Sequence, residues 1–208
     1  MVDSLVSHLG DNFTLINNKT KNRLQVYRKY DFGIDPETYV ELVEYEDKYH
    51  LSLVQRNDKF KKAEFSQKRD ALFVSGIYAI GKMEDPTRNE QVQKAILNLK
   101  PAELSVLDHL LVQEVGVQYY SIMQQKVKVI NLEQANDSDV FNIYYLADVT
   151  AEKKYLITNR KAPNAFLVLY NSAIKLKNAH TMILKGNEFF MVSQEQIELA
   201  KQLYLGIK

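Results

Sequence analysis

Tyr39-Val40-Glu41-Leu42-Val43-Glu44-Tyr45-Glu46-Asp47-Lys48-Tyr49-His50-Leu51-Ser52-Leu53 is the stretch on which the fold class turns. Its apolar and polar residues alternate, and side chains on a strand point to opposite faces with a period of two. Val40 and Leu42 therefore share one face, and Tyr39, Val43 and Tyr45 the other. Tyr49, Leu51 and Leu53 share a face of the returning strand, with the turn expected at Asp47-Lys48. Working outward, Asn57-Asp58-Lys59 turns the chain into a third strand, Phe60 to Phe65. Ser66 then reads as the N-cap of a helix to about Lys82, whose stripe is Leu72, Phe73, Ile77, Tyr78 and Ile80. Gly76 inside that helix costs about 1 kcal/mol relative to alanine, a cost that close packing would justify. Upstream, Val2, Leu5, Val6 and Leu9 have helical spacing, strands follow at Phe13–Ile16 and Leu24–Tyr30, and Asp31 to Pro36 reads as a loop.

The rest of the chain echoes this order. Ser4-Leu5-Val6-Ser7-His8-Leu9 returns as Ser105-Val106-Leu107-Asp108-His109-Leu110, 101 residues later. At the same offset Val40 meets Phe141, Leu42 meets Ile143 and Asp47 meets Asp148. Val92, Ala95, Ile96 and Leu99 form a short amphipathic helix ahead of Lys100-Pro101, and a helix spans Ala102 to Val115. Strands are expected at Gln118–Met123, Lys126–Leu132, Val140–Val149, Lys153–Thr158 and Glu188–Val192. Ser193 opens a capping box before a final helix. The expectation is an α+β protein of two related α-βββββ-α units in tandem, packed together, with mostly antiparallel sheets. The units are 1–100, with a short connecting helix, and 101–208, with an insertion at about 159–187.

Composition narrows the function classes. The 208 residues are 46% hydrophobic and 25% charged, which is ordinary for a globular chain. No apolar run approaches the roughly 20 residues of a membrane span, so no membrane partner is expected. The start, Met1-Val2-Asp3-Ser4, lacks the pattern of a secretory signal. There is no cysteine, hence no disulfide framework and no thiolate chemistry, and the natural compartment is a reducing cytoplasm. A net charge of +1 argues against a protein whose main work is neutralising phosphates. Lys59, Lys61 and Lys62 read instead as the charges that keep an edge strand from pairing. Thirteen tyrosines with no tryptophan is the one unusual figure, and tyrosine suits half-buried strands and interfaces alike.

Chemistry-bearing patterns are few. His8 and His109 are equivalent in the echo and invite a paired site, but a histidine copied with its helix explains them as well. No two histidines have metalloprotease spacing, and no metal or cofactor is expected. Glu37, Glu41, Glu44, Glu46 and Asp47 crowd the hairpin and are expected to face water. Glu41 becomes Asn142 and Glu44 becomes Tyr145 in the second copy, so that cluster is not duplicated. The seven glycines form no phosphate loop, and no serine sits in a nucleophile elbow. No catalytic residues are assigned.

The run Tyr39 to Leu51, followed by Phe65-Ser66-Gln67-Lys68-Arg69-Asp70-Ala71, resembles the small cytoplasmic immunity proteins that bacteria encode beside polymorphic toxins. The resemblance lies in a charged-turn hairpin, an apolar strand ending in Phe65, and a serine-led helix, and it covers residues 1–83 best. It implies a non-enzymatic protein that binds and neutralises a cognate toxin. Aromatic residues dominate binding hot spots, so Tyr45, Tyr49, Tyr144 and Tyr145, with Glu44 beside them, are the candidate partner-binding residues. Two rival readings are a nucleic-acid-binding accessory protein of a phage or plasmid, and an enzyme with its site between the units.

Overall fold

The computed structural model describes residues 1–207 and is a mixed α+β protein of six helices and two sheets. In chain order the elements are α1 Val2–Leu9, β1 Phe13–Asn18, β2 Arg23–Tyr30, β3 Gly33–Tyr45, β4 Lys48–Gln55, β5 Asp58–Phe65, α2 Lys68–Met83, α3 Glu90–Leu97 and α4 Leu104–Glu114. They continue with β6 Tyr120–Ile122, β7 Ile130–Gln134, β8 Val140–Tyr145, β9 Lys154–Lys161, α5 Asn164–Phe190 and α6 Gln194–Leu205. Two compact units result, one of Met1–Asp85 with Ala179–Gly206, the other of Pro86–Asn178 with Ile207. The sequence had suggested a division at 100/101. The chain's own contacts divide it after Asp85 and again after Asn178, because α6 and the last turns of α5 pack with the first sheet's helices.

The first unit is a five-stranded antiparallel meander in the order β1-β2-β3-β4-β5. Alternation does what the sequence implied: Leu24, Val26, Val40, Leu42, Leu51 and Leu53 share the face that forms the core with α2, whose Ala71 to Ile80 are all buried. The β3–β4 turn is Glu46-Asp47, one residue earlier than expected, with both residues in the left-handed region that a tight two-residue hairpin requires. β3 also starts earlier than expected. Gly33 and Ile34 pair with Tyr30 and Lys29, and Asp35 to Thr38 bulge opposite the single residue Arg28. Pro36 is tolerated there because a bulge asks no ladder hydrogen bond of it. Ser66 does not cap α2; Gln67 holds that position without a side-chain bond. At the far end Arg28 donates to Met83 O at 3.1 Å and lies 3.4 Å from Glu84, a cation at the helix C-terminus where the macrodipole favours it.

The second unit's sheet has four strands, β6-β7-β8-β9, and β6 and β7 run parallel. The expected strands at Gln118–Met123 and Lys126–Leu132 thus form no antiparallel hairpin. Parallel neighbours normally need a crossover of a dozen or more residues. Here β6 is three residues long, so the chain has only about 10 Å to travel back before β7 begins. Two polar side chains hold that return. Ser121 Oγ donates to Gln124 O at 2.6 Å, and the wholly buried Asn131 accepts from Lys126 N at 2.8 Å while donating to the carbonyls of Lys126 and Val129.

The strand expected at Glu188–Val192 is corrected by α5, a single helix of 27 residues that also takes up most of the segment expected as an insertion. Its buried Ala165, Leu169, Ala173, Leu176, Ala179 and Ile183 recur every three or four residues, a helical period that no β alternation matches. Phe166 packs on Phe141 in the second unit, and Phe190 on Phe73 in the first. α6 begins as its capping signal implied, with Ser193 Oγ accepting from Gln196 N at 3.4 Å, and ends at Gly206 in the left-handed conformation.

Candidate functional site at the end of the first hairpin

Three of the five predicted binding residues come together at the β3–β4 end of the first sheet. Glu44 pairs with Tyr49 across the two strands, and Tyr45 is the next residue, opposite Lys48. Period two then splits them. Glu44 and Tyr49 lie on the helix side, where Tyr49 packs partly on the core. Burial, then a hydrogen bond to Glu44, raises the Tyr49 hydroxyl above its ordinary pKa. Tyr45 lies on the other side, 62% exposed, with its ring 6.4 Å from His50. A hydrogen bond to Glu46 raises its pKa.

Below Glu44 and Tyr49 opens a cleft of about 480 Å³, lined among others by Asp3, Lys19, Arg23, Glu44, Tyr49 and Lys68. It has both charge signs on its walls. On the Tyr45 side runs a ladder of charge: Glu64 receives Lys48 at 2.6 Å and Lys61 at 2.8 Å, with His50 Nδ1 at 3.4 Å. The two ammonium groups, Lys48 first, hold the Glu64 carboxyl down at about 2.

The carboxylate crowd is only partly solvent-facing. Glu41, expected in water, is 2% exposed. Arg23 from β2 approaches it at 3.0 Å, Gln25 donates at 3.5 Å, and Lys59 reaches it from β5. Lys59 has to cross β4 to do so, and it crosses beside Ser52, the small residue opposite Glu41. Tyr27 and Tyr39 pack on the same face, ring centroids 4.7 Å apart and planes tilted by 33°.

Tyr144 and Tyr145 belong to the second unit and are corrected as surface anchors, being 2% and 0% exposed. Tyr145 is on the core face. Tyr144 is on the polar face but is covered by Lys153, 4.5 Å above its ring, and by the ring of Tyr155. Sequence reasoning missed Tyr155. It stands opposite Tyr144, is 47% exposed, and donates to Glu133 at 3.3 Å. Correct pairing of β8 with β9 would have shown it, but two register shifts hide that pairing from simple alternation.

The histidines do not form a paired site in their own surroundings. His8 is half-buried against Gly76 and Gly186, whereas His109 is exposed and bonded to Gln113. Among the described residues no three metal-ligating side chains gather, and no helix is long and apolar enough to cross a membrane. No protein-family model, curated protein or solved structure matches the chain.

Proposed function

We propose that this chain is a non-enzymatic protein-binding module that acts through the β3–β4 end of its first unit, and that its partner is a bacterial toxin which it neutralises. The observation that carries the binding reading is Tyr45: a large aromatic side chain left 62% exposed at a rigid two-residue turn, beside a row of paired charges on the same face. An anchor of this kind costs little to immobilise, because the turn already fixes its backbone. The charges around it supply selectivity and association rate. The toxin reading rests on the resemblance of Tyr39–Leu51 and Phe65–Ala71 to immunity proteins. The absence of cysteine suits a cytoplasmic protein of this type.

The order helix, strands, helix occurs in both units, as α1 to α2 and as α4 to α5, and supports an origin by duplication in which the second copy kept four strands.

The direct test is co-purification with the product of the neighbouring reading frame, followed by co-expression of the two. The reading expects a stoichiometric complex, loss of the neighbour's toxicity, and loss of both with Tyr45→Ala while the fold stays intact. A neighbour that is not toxic and is not captured overturns the toxin reading. A complex that Tyr45→Ala leaves untouched overturns the site.

A further inference from the structure

We infer that β1 is a pairing edge, and that it joins the β1 of a second copy of this chain in an antiparallel, two-fold-related sheet. The two sheets have four edges, and three of them carry features that discourage pairing. β5 has Asp58, Lys59, Lys61, Lys62 and Glu64 among its eight residues, β9 has Lys154, Arg160 and Lys161, and β6 is only three residues long. Charge and shortness are the usual devices by which an edge avoids strangers. β1, Phe13-Thr14-Leu15-Ile16-Asn17-Asn18, has neither: it is six residues long, uncharged and free of proline.

Among the described residues, Thr14 to Asn18 make no backbone hydrogen bond beyond those to β2. Alternate N–H and C=O groups on the other side are therefore left for a partner. A second β1 fits them because the strand is compatible with itself. With Leu15 opposite its own copy, Thr14 meets Ile16 on the outer face and Phe13 meets Asn17 on the helix face, and no like charges oppose each other. A two-fold axis normal to the sheet keeps the core faces aligned. The edge alone is smaller than the roughly 1,200 Å² of a stable interface. α1, which packs beside β1, adds exposed apolar surface in Met1 and Val6, and β1 itself adds Ile16, 41% exposed. This inference does not rest on the toxin reading, which uses the β3–β4 turn; the cleft beside that turn reaches β1 only at Asn17.

The experiment is sedimentation equilibrium of the full chain over a hundredfold range of concentration. The wild type is expected to rise from 24.1 kDa toward twice that mass. The double variant Thr14→Lys/Ile16→Lys, with unchanged circular dichroism and unfolding midpoint, is expected to stay at the monomer mass. A Lys59→Ala variant on the opposite edge is expected to dimerise as the wild type does. A wild type that stays monomeric throughout overturns the inference, and so does dimerisation undiminished by two lysines on β1. If the double variant proves unfolded, hydrogen exchange of the wild type decides. Protection of Thr14–Asn18 amides that grows with protein concentration supports the pairing, and concentration-independent exchange overturns it.

Discussion

Tyr204 lies so close over Gly81 that a Cβ placed on the glycine would stand 2.5 Å from the ring's Cδ2 and 2.7 Å from its Cγ. The glycine in α2 is thus the seat of an aromatic ring from α6, and the ring is 4% exposed. Its burial, with the carboxylates of Glu84 and Asp85 nearby, pushes the Tyr204 hydroxyl up to about 12.

Gly81→Ala tests that seat. Alanine gains about 1 kcal/mol of helix propensity. Forcing a buried ring aside costs about 1–3 kcal/mol. The collision involves ring atoms, which cannot fold away, so a net loss of up to about 2 kcal/mol is expected from urea unfolding. In a Tyr204→Leu background the same substitution should cost markedly less, and an equal cost would show that the ring is not the obstacle.

Asn131→Ala should loosen the return between β6 and β7. The side chain makes three hydrogen bonds to backbone groups and is wholly buried. At about 1 kcal/mol for each bond, with the freed carbonyls left unsatisfied, a loss of about 2–4 kcal/mol is expected. The amide of Lys126 should exchange faster in the variant, and hydrogen exchange followed residue by residue checks this.

His8 makes stability depend on pH. Its Nε2 is buried without a partner, and burial, then the charge of Lys185, lowers its pKa from the ordinary 6.5. The unfolded chain therefore takes up a proton at higher pH than the folded one. This contribution is whole above pH 6.5 and is lost as pH falls below it toward the folded value. Glu64 acts in a separate window: with its pKa held at about 2, its contribution is present above 4.5 and is lost as pH falls toward 2. Urea midpoints should drop between pH 7.5 and pH 5, and His8→Gln should shrink that drop. A drop of unchanged size would assign it to other groups.

Glu41→Gln should cost about 1–3 kcal/mol, the range for hydrogen bonds to a charged group. Lys59→Met should cost less, because Arg23 still faces the carboxylate and Lys59 is half-exposed. Chemical unfolding of the two variants gives the order, and the reverse order would place the main support of Glu41 on β5.

Lys48→Gln should lower the unfolding midpoint only slightly, since the Lys48–Glu64 pair is exposed and Lys61 still faces Glu64. Its effect should fall on encounter with a partner. The association rate should change, with a salt dependence different from that of the wild type, while dissociation stays the same. Stopped-flow mixing at two ionic strengths separates these.

Much of the first sheet was legible because Val40, Leu42, Leu51 and Leu53 alternate cleanly and the two tight turns lie between runs of matching length. The second unit was harder to read. The β6–β7 return depends on one buried asparagine, and a single polar residue leaves no periodic signal. α5 was obscured because Glu188–Val192, just ahead of the Ser193 cap, reads as a short strand and so hides the helical spacing present from Ala165 onward. At the candidate site, composition pointed to tyrosine but not to its exposure. Tyr45 and Tyr145 both end apolar strands, yet one stands in solvent and the other has none, because a neighbouring helix face is visible only once the chain is folded.

The first unit takes Ile183, Phe190, Ala200 and Tyr204 into the same core as Leu51 and Phe73. On the ribosome, a sheet complete by Phe65 and a helix complete by Met83 must wait through nearly a hundred further residues for the side chains that close them. Until then the apolar side of α2 is uncovered to whatever the cell supplies. The first unit is therefore begun ahead of the second, yet it cannot close until the second has been made.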